Sequence, residues 1–285
     1  MAPQHAVPVP GPVVDASWLA EHLDDVVVAD VRWYLDGRSG HEAYEAGHIP
    51  GAVFVDLDVD LAAPPAPGEG RHPLPTPEHL AARLGALGIG DDDTVIAYDD
   101  AGGAIAARLW YLLDAVGQKA AVLDGGLRAW TGPPTSGALE TGTVHRPPVT
   151  RRVRPWPPER FASLDEVARA ARRHDTVVID ARDPDRYRGV PNPVDVRPGH
   201  IPGAVNVPFA GNLGPDGRFR PAEELRRRFA AVGADERPAI VYCGSGVTAC
   251  HDLLALRLAG IGDGRLFPGS WSAWESDPDR PVAVG

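Results

Sequence analysis

Lysine is almost missing from this chain. Of its 28 basic residues only Lys119 is lysine and the other 27 are arginine, so Schiff-base chemistry has a single candidate. There are two cysteines, Cys243 and Cys250, too few for a disulfide framework, which points to a reducing compartment. No stretch approaches the ~20 apolar residues that would span a bilayer. Met1 to Pro12 has neither the basic nor the apolar region of a signal peptide, so a cytoplasmic protein is expected. Positive charge is in deficit, 28 basic against 39 acidic residues, a net of −11, which argues against nucleic acid or an anionic membrane as the main partner. No His/Cys/Asp cluster has zinc-like spacing, and nothing after Gly68-Glu69-Gly70 resembles a phosphate loop, so neither metal nor cofactor is expected. What the chain has in plenty is glycine (32) and proline (30), in an ordinary globular balance of 44% apolar and 24% charged residues. A length of 285 residues suits two domains better than one core.

The chain also repeats itself. Gly47-His48-Ile49-Pro50-Gly51-Ala52-Val53 returns as Gly199-His200-Ile201-Pro202-Gly203-Ala204-Val205. Val27 to Arg32 parallels Val178 to Arg182, and Val95 to Tyr98 parallels Ile240 to Tyr242. Asp124-Gly125-Gly126-Leu127-Arg128-Ala129-Trp130 parallels Pro268-Gly269-Ser270-Trp271-Ser272-Ala273-Trp274. Four landmarks in one order make two copies of one fold, at a period too long for a solenoid. We divide the chain into an N-terminal domain at 1–138, a proline-rich linker at 139–158 and a C-terminal domain at 159–285. Short apolar runs at 26–29, 95–97, 177–179 and 239–242 are predicted as buried strands. Helices are predicted over 77–87, 104–116, 221–232 and 247–259. Strand–helix alternation gives an α/β fold, with a mainly parallel sheet flanked by helices in each domain. Sites in such sheets lie beyond the carboxyl ends of the strands.

One strand end stands out. Ile240-Val241-Tyr242 runs into Cys243-Gly244-Ser245-Gly246-Val247-Thr248 and then a helix. A tight glycine-bearing loop at a helix N-terminus turns backbone N–H groups inward, where they stabilise an anion such as a thiolate at Cys243. Ser245 and Thr248 can add hydroxyl donors. Cys250, two helical turns on, reads as packing. An offset of 144 maps Cys243 onto Asp99, so the first copy keeps the fold without a nucleophile. His48 and His200 occur in both copies and therefore read as parts of the fold. Trp130 and Trp274 also repeat and read as core anchors.

Taken together, the doubled Gly-His-Ile-Pro-Gly-Ala segment, a nucleophile in the second copy only and the Cys-Gly-Ser-Gly-Val-Thr loop resemble the tandem-domain rhodanese family of thiosulfate and 3-mercaptopyruvate sulfurtransferases. The resemblance implies two rhodanese-like domains, the first non-catalytic. It implies a mechanism in which Cys243 takes sulfur from a small anionic donor as a persulfide. The sulfur then passes to cyanide, a thiol or a thioredoxin-like protein. A related phosphatase would need Cys-x5-Arg, and Ala249 stands where that arginine would be. The loop is similar to the 3-mercaptopyruvate type, with thiosulfate left open. Arg186 matches the arginine that binds substrate in relatives, while Arg182, mirrored by Arg32, reads as structural. A second substrate arginine precedes the Gly-His-Ile motif in those relatives. Here that stretch is about two residues shorter, and Arg197 is the candidate. Ser39 stands where relatives often carry an acid that pairs with the loop serine. The alternative is a non-catalytic persulfide carrier or redox sensor that docks a partner.

Overall fold

The computed structural model describes residues 7–173 and 175–285. They form two compact units. Unit 1 comprises residues 1–63, 75–156 and 215–218, of which 1–6 lie outside the described residues, and unit 2 comprises 64–74, 157–214 and 219–285.

In unit 1, the strands are β1 (Val13–Val14), β2 (Val27–Asp30), β3 (Val53–Phe54), β4 (Val95–Tyr98) and β5 (Ala120–Leu123). They pair in parallel in the order β1-β5-β4-β2-β3. The helices are α1 (Ala16–Glu21), α2 (Gly40–Ala46), α3 (Pro77–Ala86), α4 (Ala106–Ala115) and α5 (Gly126–Thr131). In unit 2, β6 (Val177–Asp180), β7 (Val205–Asn206), β8 (Ala239–Tyr242) and β9 (Arg265–Leu266) pair in parallel in the order β7-β6-β8-β9. They are flanked by α6 (Leu164–Arg173), α7 (Pro184–Arg188), α8 (Ala222–Ala230), α9 (Ala249–Leu258) and α10 (Ser270–Glu275). The four expected strands and four expected helices are all present, with ends shifted by up to two residues. α3 starts as its sequence suggests: Pro77 sits in the first turn, and the Thr76 hydroxyl accepts the His79 N–H at 3.1 Å.

The central strands β2, β4, β6 and β8 are buried at every residue, which is why they read as unbroken apolar runs. Trp130 and Trp274 lie in the two cores. Each indole N–H donates to a following carbonyl at 2.9 Å, Ala138 for Trp130 and Pro281 for Trp274. The stretch 139–156 lies along unit 1 rather than hanging free. Val149 N–H donates to Gly85, Arg151 to Ile89 and Gly90, and Arg154 to Val116.

The repeated Gly-His-Ile segment has a physical reason. In unit 1 the Arg32 guanidinium grips Asp30 and donates to the Gly47 carbonyl at 2.8 Å. The Tyr98 hydroxyl donates to Asp30 at 2.6 Å and accepts the Ile49 N–H at 3.1 Å. Unit 2 repeats the pattern: Arg182 grips Asp180 and donates to the Gly199 carbonyl at 2.7 Å, and the Tyr242 hydroxyl accepts the Ile201 N–H at 3.2 Å. A fully buried carboxylate is thus satisfied on all sides, and the motif's backbone is fastened to it.

The motif histidines stack on tyrosines, His48 on Tyr44 at 4.1 Å and His200 on Tyr187 at 3.7 Å. Each Nδ1 faces the carbonyl of the same tyrosine at 2.9 and 2.8 Å, so Nδ1 carries the proton. Burial pushes the His200 pKa below the ordinary imidazole value, and the Tyr187 carbonyl and Asp180 only partly oppose it.

Two outcomes follow. Tyr98→Phe leaves the Asp30 carboxylate and the Ile49 N–H short of a partner, and urea melts should show a loss of about 1–3 kcal/mol. The unfolded chain protonates His200 near pH ~6.5, where the folded chain resists it. Stability is therefore expected to be full above that pH and to fall on acidification, and His200→Gln should flatten this part of the profile.

Candidate active site

The candidate site is built at the carboxyl end of β8 in unit 2. Cys243 is 2% exposed and is the first residue after the strand. Its N–H donates to the Ser270 hydroxyl at 3.1 Å, and that hydroxyl donates to the Phe267 carbonyl at 3.0 Å. The carbonyls of Cys243 and Gly244 accept the N–H groups of Trp271 and Ser272, both at 2.9 Å. Ser270 is held at φ +52°, a left-handed conformation that costs a residue with a Cβ ~1–3 kcal/mol. The first copy has Gly126 there, at φ +55°, and Leu127 N–H donates to the Asp99 carbonyl at 2.9 Å. The repeated Gly-Gly-Leu and Gly-Ser-Trp landmarks are therefore the clamps that fix the residue at the end of the strand.

Asp99 shows what such a loop binds. One of its carboxylate oxygens accepts the N–H groups of Ala101 and Gly103, both at 2.8 Å. The other accepts those of Ile105 at 2.8 Å and Ala106 at 2.9 Å. The chain's own anion fills the cradle of unit 1. Burial lifts the Asp99 carboxyl above its usual range, against the opposing pull of these four donors. In unit 2 the loop is one residue shorter, with five residues between Cys243 and α9 against six between Asp99 and α4.

The remaining loop residues are placed as follows. Ser245 is 8% exposed, and its hydroxyl meets His72 Nδ1 at 2.7 Å. Val247 and Thr248 open the helix, their carbonyls accepting the N–H groups of Cys250 and His251. The Cys250 thiol is buried and donates to the Gly246 carbonyl at 3.4 Å. Ser39 caps α2 in unit 1, its hydroxyl accepting the Glu42 N–H at 3.1 Å.

Two guanidinium groups converge on Gly244. Where a Cβ on that residue would stand, Arg71 Nη2 lies 2.9 Å away and Arg186 Nη2 3.1 Å away. Arg186 is held by Asp195, with Nε on one carboxylate oxygen at 2.8 Å and Nη2 on the other. Burial pushes Asp195 up, but this fork together with Arg182 and Asn192 outweighs it and leaves the carboxyl below its usual range. Arg71 is loosely held, 3.8 Å from the Glu275 carboxylate and 3.4 Å from the Val194 carbonyl. Burial, then the charge of Arg186, lowers its pKa. Burial also raises Glu275. Arg197 is placed differently. Its guanidinium donates to the carbonyls of Asp277 at 2.8 Å and Arg280 at 2.9 Å, and its backbone N–H to Glu275 at 3.0 Å.

The sequence reading named neither Arg71 nor His72. Both belong to unit 2 although they precede β4 in the chain. Their segment approaches so closely that a Cβ on Gly70 would stand 2.5 Å from the Gly269 carbonyl oxygen. A usable signal existed. From Val53 to Pro77 the first copy takes 24 positions, whereas the second takes 16 from Val205 to Pro221, so the Arg-His pair falls in a stretch without a counterpart.

The two loop glycines should respond differently to a methyl group. At Gly244 the closest approach is to the loosely held end of Arg71, and the braced Arg186 need yield only a few tenths of an ångström, so thermal unfolding of Gly244→Ala should show a loss of no more than about 1 kcal/mol. At Gly246, with φ +78° and the Pro268 carbonyl oxygen 2.4 Å from the new Cβ, a loss of at least ~2 kcal/mol is expected in the same measurement.

Known proteins resemble the chain over nearly its whole length. The rhodanese-like domain family matches residues 15–133 and 163–277. A Pseudomonas aeruginosa protein provisionally named 3-mercaptopyruvate sulfurtransferase is 44% identical over 283 residues, covering 96% of this chain and 98% of its own. A Mycobacterium tuberculosis protein provisionally named thiosulfate sulfurtransferase SseB is 44% identical over 266 residues, covering 92% of each. The crystal structure of SseA, the 3-mercaptopyruvate enzyme of Escherichia coli, superposes with a TM-score of 0.81 at 35% identity, covering 92% of this chain and 99% of that one. With both copies matched and the similarity running nearly end to end, the chain belongs to the rhodanese family.

Proposed function

We propose that this chain is a sulfurtransferase of the 3-mercaptopyruvate type, with Cys243 as its sulfur carrier. The observation that carries the reading is the convergence of Arg71 and Arg186 on the residue next to Cys243. Two guanidinium edges suit the planar carboxylate and adjoining carbonyl of a 2-oxo acid, which they can hold by paired hydrogen bonds. A donor held there would present its thiol sulfur to Cys243.

The Cys243 thiolate attacks that sulfur. The carbon–sulfur bond breaks, and its electron pair passes into the enolate of pyruvate, which takes a proton to become pyruvate. Cys243 is left as the persulfide. Cyanide or a thiolate then attacks the outer sulfur, and the sulfur–sulfur bond breaks to return the Cys243 thiolate. The N–H groups of Gly244 to Thr248 stabilise the negative charge in both states, as their counterparts do for Asp99. Ser245, bonded to His72, stands ready to pass a proton to the departing enolate.

A thiol or a thioredoxin-like protein is the proposed acceptor. Cys243 and Cys250 are both unbridged, which suits the cytoplasm as the setting. No helix among the described residues is long and apolar enough to cross a membrane.

Steady-state assay of thiocyanate formation from cyanide tests the proposal, with 3-mercaptopyruvate and thiosulfate compared as donors. Cys243→Ser should lose at least ~1,000-fold in kcat, and Arg71→Ala and Arg186→Ala should each raise KM for 3-mercaptopyruvate by roughly tenfold or more. Near-normal turnover by Cys243→Ser would remove the proposal. Thiosulfate as the better donor, indifferent to both arginines, would reassign the substrate.

A further inference from the structure

We infer that Asp195 is a positioning residue for donor recognition, fixing the Arg186 fork at Gly244 and tying it to the buried frame of the domain; the inference rests on the donor-binding role proposed for Arg186. The Asp195 side chain is fully buried. Four side-chain N–H contacts from three residues meet its carboxylate. Arg186 Nη2 takes one oxygen, and the other receives Arg186 Nε at 2.8 Å, Asn192 Nδ2 at 3.0 Å and Arg182 Nη1 at 3.3 Å. Arg182 is the same guanidinium that grips Asp180 and the Gly199 carbonyl. Asn192 closes the hook from the other side, its side-chain oxygen accepting the N–H groups of Val194 and Asp195 at 3.0 Å each.

The first copy gives the internal comparison. Arg32 has the same grip on Asp30 and the Gly47 carbonyl. The chain between that arginine and the Gly-His-Ile motif is there folded into α2, with Ser39 as its cap, rather than into an Asn192–Asp195 hook. The hook is therefore an addition found in the copy that holds the nucleophile. It occupies the Nε edge of Arg186, two of five N–H groups, and leaves the other three for a ligand. Nη1 then stands 3.5 Å from the Cβ position of Gly244. Without the hook a half-buried arginine has many rotamers, and a donor would have to order it on binding.

Asp195→Asn separates positioning from simple charge, because the two predict opposite signs. Removing a negative charge would by itself favour an anion at the site, whereas releasing Arg186 disfavours it. The readout is the alkylation of Cys243 by anionic iodoacetate relative to neutral iodoacetamide, followed by mass spectrometry on the intact chain. We expect the iodoacetate-to-iodoacetamide rate ratio to fall about fivefold, and KM for 3-mercaptopyruvate to rise about tenfold with kcat changed less than about threefold. Asp195→Glu, which keeps the charge, should recover part of both. A ratio that rises or stays level, or a loss confined to kcat, overturns the inference. Should Asp195→Asn fail to fold, Asn192→Ala loosens the same hook and is expected to move the ratio in the same direction; no movement there overturns it equally. The alkylation ratio needs no turnover, so it stands apart from the sulfur-transfer reading, which Cys243→Ser decides.

Discussion

A buried carboxylate gripping a guanidinium sets the geometry of each domain. Asp180 on Arg182, and Asp30 on Arg32, sit at the ends of central strands with no exposure of the carboxylate residue. A charge in that position is tolerable only if every oxygen is bonded, which fixes the arginine, the tyrosine of the neighbouring strand and the backbone of the Gly-His-Ile segment together. The end of the neighbouring strand, where Cys243 stands, inherits that rigidity. The clamp from Ser270 and Trp271 completes it. A residue that follows directly on a paired strand, with its own N–H bonded to the Ser270 hydroxyl and its carbonyl to the Trp271 N–H, has little freedom to leave the loop.

The two copies share this frame and differ in what occupies the loop. Unit 1 closes its cradle with the Asp99 carboxylate, four N–H groups turned on one anion. Unit 2 has a thiol there and draws its cations from two other places, Arg186 on α7 and Arg71 on a segment far away in sequence. In the proposed function, anion recognition is divided between backbone dipoles, which such a loop provides, and side-chain guanidinium groups, which choose the ligand. Arg186 is braced and Arg71 is loosely tethered to Glu275. In the proposed function the braced fork would fix a small donor and the yielding one would admit it.

Much of this was legible in the residues. The strands β2, β4, β6 and β8 could be read because burial on both faces makes them apolar throughout. The repeat could be read because the same buried polar contacts demand the same residues twice. The cysteine loop could be read because glycine, a small hydroxyl and a helix start form a pattern that has a mechanism. The site's far side could not. Arg71 and His72 belong to unit 2 through packing; the extra length of the first copy marks their stretch as an insertion, but no residue pattern says which unit that insertion joins. Arg197 is the candidate that the family resemblance points to before the Gly-His-Ile motif, and its fork bonds to the carbonyls of Asp277 and Arg280, groups that a chain leaving α10 must satisfy somewhere.

The most direct test of the account is the mass of the protein after incubation with 3-mercaptopyruvate in the absence of any acceptor, with peptide mapping to locate the change. The account predicts one added sulfur atom, confined to the peptide that carries Cys243 and removed by cyanide. An unchanged mass, or sulfur carried on Cys250 instead, would contradict it.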